Sequence, residues 1–129
     1  LLVWSVGYFW LDPRVDPAWP IEQFQTLVVL GIGYPVVEEW VFRGMLQGYL
    51  RGYPRLRAAW LGITPANLLV SLVFTALHFI YHPPLAAALV LVPSLVFGYF
   101  RDRHGNLIGP IWLHMFYNIG YFWLFTSGA

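Results

Sequence analysis

A chain of 129 residues that is 59% hydrophobic, 19% aromatic and only 10% charged is too apolar for an ordinary soluble domain, where roughly a quarter of residues carry charge. Its length suits one domain, residues 1–129, and the absence of cysteine excludes disulfides and thiolate chemistry. A net charge of +1 without a basic run argues against nucleic acid as a partner.

In chain order, Leu1 to Leu11 is apolar but shorter than the ~20 residues that cross a bilayer. It reads as the tail of an upstream helix that the sequence does not include. Asp12 to Pro20 holds three prolines and two aspartates, which break any helix there. A long apolar segment follows from Ile21 to about Leu50. As a helix it would measure roughly 45 Å, longer than the ~30 Å hydrocarbon layer. Gly31, Gly33 and Pro35 are the candidate kink, just ahead of Glu38 and Glu39.

The stretch from Arg51 to Arg57 is the most basic and falls on the cytoplasmic side by the positive-inside tendency. Thr64-Pro65 reads as an N-cap and first helical residue, opening a helix to about Tyr81. His82-Pro83-Pro84 ends it. The next helix runs from about Leu85 to His104, with cationic residues in its last turn and Gly105 as its cap. The last runs from about Pro110 to Phe125. The expected fold is therefore an all-α, polytopic transmembrane bundle of about four helices plus the upstream tail.

Ionisable groups at membrane depth are costly and mark function or a buried pair. Glu39 and Arg43 are four apart, with the acid first, so they share a face and pair. Glu38 lies about 140° from Arg43 and has no local partner, which makes it the candidate general base. The competing reading of Glu39–Arg43 is an ion pair that only locks helices. His78 ends an otherwise apolar helix, where a single histidine is more often a packed core residue. His114 and Asn118 share a face of the last helix. His82 and His104 read as turn and cap residues, and Asn67 and Asn106 as helix-start and turn residues.

The ordered set EEWVFR (38–43), FTALH (74–78) and HMFYN (114–118) resembles the CPBP family, the CAAX proteases and bacteriocin-processing enzymes. The resemblance spans about Glu22 to Leu124 and includes Phe42-Arg43-Gly44, Gly98-Tyr99-Phe100-Arg101 and Gly105-Asn106-Leu107. It implies a glutamic intramembrane endopeptidase. Glu38 would activate water, with His78 helping to hold it. His114 and Asn118 would stabilise the oxyanion, and Glu39 and Arg43 would keep the site's shape. If these groups share one depth, the turn at His82-Pro83-Pro84 is expected to be buried in protein.

The resemblance implies no cofactor. Zinc on Glu38, His78 and His114 is the alternative, although the His-Glu-x-x-His helix of zinc proteases is absent. The implied partners are the lipid bilayer and a peptide or protein with a membrane-associated or tagged C-terminal segment. The implied location is a bacterial inner membrane, as a multi-pass protein. The non-enzymatic alternative is a membrane scaffold or bacteriocin self-immunity protein. A proton-coupled carrier is a third reading, but no internal repeat supports alternating access.

Overall fold

The computed structural model describes residues 16–125. The expectations for Leu1 to Leu11, and for the loop as far as Val15, lie outside these residues. The described residues are helical, with no strand beyond an isolated bridge between Trp60 and Ile63.

One short turn, α1 (Trp19–Glu22), leads through Gln23 into the long segment α2, residues 24–50. This segment alternates α turns with two π stretches, Leu27–Gly33 and Trp40–Gln47. Pro35 explains the first. It has no N–H and its ring crowds the carbonyl four residues back, so the ladder cannot run through it in α register. The N–H of Tyr34 closes instead on Val29, five residues back. The kink expected here is thus realised as a widened turn.

A one-turn helix, α3 (Pro54–Arg57), and the tight turn Trp60–Ile63 lead to α4 (Pro65–His78). Thr64 caps α4 as read from the sequence: its hydroxyl accepts the Asn67 N–H at 3.0 Å. The helix stops at His78 rather than near Tyr81. From there a self-bonded turn takes over, with Tyr81 and His82 N–H groups both donating to the His78 carbonyl at 3.2 and 3.0 Å.

The single helix expected after the proline pair is two pieces, α5 (Pro84–Leu89) and α6 (Leu91–His104). They meet at Val90 because Pro93 has no N–H to offer the Leu89 carbonyl. Together, Pro84–His104 is long and apolar enough to cross a membrane. Gly105 takes φ 70° and caps α6 by returning its N–H to the Arg101 carbonyl. Asn106 accepts the Ile108 N–H at 3.1 Å and starts α7 (Ile108–Phe125).

The first half of α2 packs on α7, and its second half on α4 and α6. Helix α6 lies against both α4 and α7. So α2 touches every long helix, and its glutamates fall where its contacts change from one partner to the others.

Candidate active site

Along α2 and its C-cap, polar side chains recur every four residues: Glu39, Arg43, Gln47 and Arg51. Those of α6 do the same around a glycine: Ser94, Gly98 and Asp102. The two rows interlock. Arg43 donates from Nη2 to the Ser94 hydroxyl (2.6 Å) and carbonyl (2.9 Å). Gln47 donates to the Gly98 carbonyl (3.0 Å) and to Asp102 (2.8 Å), and Arg51 lies 3.2 Å from Asp102. Thr64 adds a third element by donating to the other Asp102 oxygen at 2.6 Å.

Asn67 joins this seam too. It stands in the first turn of α4, as read from the sequence, and its fully buried side chain also donates to the Leu95 carbonyl at 2.9 Å. A Cβ on Gly98 would overlap the Asn67 amide, so only glycine permits this approach. Arg43, Gln47, Asn67 and Ser94 are all fully buried. Buried polar groups need such partners, because an unpaired one costs its full desolvation.

At the top of the ladder the chemistry changes. Arg43 Nε lies 3.4 Å from Glu39 Oε2, an ion pair between two fully buried side chains. The i, i+4 pair read from the sequence therefore forms, and Ser94 and His114 extend it to α6 and α7. His114 Nδ1 sits 2.9 Å from Glu39 Oε1. Its other nitrogen, Nε2, is 3.5 Å from Glu38 Oε2. Glu38 thus has a partner after all, one that comes from a distant helix, α7. A single imidazole bridges both carboxylates, and Glu38 is the more open of the two, with a side chain 27% exposed against 0% for Glu39.

Aromatic rings wall this group. Phe97 stacks on His114 (4.9 Å, 22°), and Phe74 meets the same ring edge-on at 5.8 Å. The Arg43 guanidinium lies 5.7 Å from the Phe74 centroid.

His78 enters through Phe74. Its ring is 4.5 Å from that of Phe74, and its Nδ1 is 2.8 Å from the Phe74 carbonyl. A carbonyl only accepts, so Nδ1 carries the hydrogen and Nε2 of the neutral ring keeps a lone pair. On its far side His78 stacks with His82 (5.4 Å, 17°), the i+4 neighbour that the sequence reading had set aside as a turn residue.

Asn118 is directed elsewhere: one amide N–H donates to the Leu30 carbonyl at 3.0 Å, inside the first π stretch. It ties α7 to α2. The structure thus joins Glu38, Glu39, Arg43 and His114 by direct contact and His78 through Phe74, while Asn118 is committed in part to backbone.

Burial of the His82-Pro83-Pro84 turn is not found. His82, Pro83 and Pro84 are exposed. The turn satisfies its backbone through its own i→i+3 and i→i+4 bonds, so burial is not required. Sequence reasoning also missed the roles of Gln47, Arg51, Ser94 and Asp102. The signal was there, as polar residues every four places along two apolar helices.

The described residues contain no set of three His, Asp or Glu side chains converging on a metal position. Glu38, His78 and His114 do not form one.

Comparison with known proteins adds the lineage. An uncharacterized 24.3 kDa protein of Escherichia coli is 34% identical over 90 residues, which is 70% of this chain and 39% of that protein. The chain therefore spans well under half the length of this relative. No solved structure matches it. The family described as type II CAAX prenyl endopeptidase, Rce1-like, matches residues 20–120, a stretch that holds all six candidate residues. The chain belongs to the Rce1-like family of type II CAAX prenyl endopeptidases.

Proposed function

We propose that the chain forms the catalytic core of a multi-pass intramembrane endopeptidase. It would act on a peptide or protein with a membrane-associated C-terminal segment. Its location in this reading is the inner membrane of a bacterium. The observation that carries the reading is the His114 imidazole between two glutamates of different exposure, 2.9 Å from Glu39 and 3.5 Å from Glu38.

In the proposed reaction Glu38 is the general base. It takes a proton from water as the water oxygen bonds to the scissile carbonyl carbon. Glu39 accepts the His114 Nδ1–H and so turns Nε2 toward Glu38. The proton taken by Glu38 is then shared with Nε2, and the cationic ring becomes a donor suited to the tetrahedral oxyanion. When the C–N bond breaks, the same proton passes to the leaving amine. His78, with its hydrogen held on Nδ1 by the Phe74 carbonyl, offers Nε2 as an acceptor for the attacking water. The second amide N–H of Asn118 supplies a further donor. Arg43 holds Glu39 in place through their ion pair.

The proposed reaction routes no step through a metal. Dialysis against a strong chelator should leave cleavage unchanged. Loss of activity that returns with stoichiometric zinc would move the mechanism to metal-bound hydroxide.

The direct test is cleavage of membrane-anchored reporter peptides, with prenylated or tagged C-termini, by the purified chain in detergent. Glu38→Gln should abolish cleavage while leaving thermal unfolding close to that of the parent. Parent-level turnover by Glu38→Gln would sink the assignment of the base.

A further inference from the structure

The arginines are unevenly placed. Five of the chain's seven, Arg51, Arg55, Arg57, Arg101 and Arg103, belong to α2's end, α3 and the last turn of α6. These elements meet at one end of the bundle: Arg51 and Thr64 both reach Asp102, and the ring of Tyr99 lies against Gly62. Asp102 is the one acid among them, and it is saturated by Gln47, Arg51 and Thr64. Arg51 and Arg101 are used by the fold, the latter donating to the Arg43 carbonyl at 3.2 Å. Arg55, Arg57 and Arg103 are exposed.

Beside them stands an apolar prong. Trp60 and Ile63 exchange backbone hydrogen bonds of 2.9 and 3.0 Å, closing a tight turn. At its tip Trp60 is 79% and Leu61 82% exposed, and Leu61 holds a positive φ of 50°. An L residue other than Asn or Asp is seldom found there. The turn therefore presents two large apolar side chains three and four residues after Arg57, at the end of the bundle that carries these arginines, and among the described residues Arg55, Arg57 and Arg103 have no ion-pair partner.

We propose that this end is a binding surface for anionic phospholipid headgroups. Arg55, Arg57 and Arg103 contact the phosphates, and Trp60 and Leu61 insert among the adjoining acyl chains. Guanidinium binds phosphate strongly and in a forked geometry. Basic residues at a membrane surface attract anionic lipid, and tryptophan favours the same depth. The inference is independent of the protease reading.

The test is native mass spectrometry of the chain in non-ionic detergent, offered equal amounts of phosphatidylglycerol and phosphatidylcholine with identical acyl chains. The parent should retain phosphatidylglycerol preferentially. The triple variant R55Q/R57Q/R103Q should lose roughly tenfold or more of that preference, while R55K/R57K/R103K keeps most of it. Arg55→Gln and Arg57→Gln alone should each lower it about two- to threefold, which serves if the triple variant does not fold. Inorganic phosphate, against chloride at equal ionic strength, should not displace the lipid. Equal retention of the two lipids by the parent, an unchanged preference in the glutamine variants, or displacement by free phosphate would each overturn the proposal.

Discussion

Arg43 is the residue on which the arrangement turns. It is always charged and fully buried, and it touches Glu39 on its own helix and Ser94 on α6. Arg43→Ala should destabilise the protein by about 3–5 kcal/mol, because it strands the buried Glu39 carboxylate. Glu38→Gln, at a half-open position, should cost little stability. Unfolding midpoints and cleavage rates measured on both variants would separate the roles. Equal stability losses would mean that Glu38 is as structural as Arg43. His78 and His114 differ in the same sense: one is held by a backbone carbonyl, the other by two carboxylates.

Among the elements, the closest fit is between α4 and α6, where Gly98 makes room for Asn67. Gly98→Ala should cost about 1–3 kcal/mol through overpacking. Replacing Asn67 by alanine also costs stability, since Leu95 loses its donor. The double variant should nevertheless be more stable than the sum of the two losses predicts, because the overlap disappears with the amide. Strict additivity in detergent melts would show that Gly98 and Asn67 do not meet. The π stretches of α2 belong to this scale as well. The first frees carbonyls from the α ladder, and Asn118 takes one of them, on Leu30. An alanine in place of Asn118 should therefore loosen α7 from α2 as well as slow cleavage.

At the scale of the molecule, the basic end and the end where Trp123 donates to the Asp16 carbonyl are separated by most of α7, about 23 Å along the helix. In a membrane the two ends should face opposite sides. The chain has no cysteine of its own, so single cysteines report cleanly. A cysteine at Arg57 or Arg103 should label with an impermeant maleimide from one side of sealed vesicles. A cysteine at Ala18 should label from the other. Labelling of all three from one side would rule out this orientation.

The chain's hydropathy, its caps and its spacing determined much before any coordinates: an all-α chain, Thr64 and Gly105 at helix ends, and Glu39 paired with Arg43. These are local matters, decided within one or two turns of backbone. The partner of Glu38 was not legible, because it lies on a helix 75 residues from Glu39, and no periodicity encodes which helices become neighbours. The interlock of Arg43 and Gln47 with Ser94, Gly98 and Asp102 was half visible, as two rows of polar residues whose common seam appears only on packing. The exposed proline turn after His78 went the other way. Sequence reasoning asked for burial to satisfy its backbone, and the chain satisfies that backbone within the turn itself.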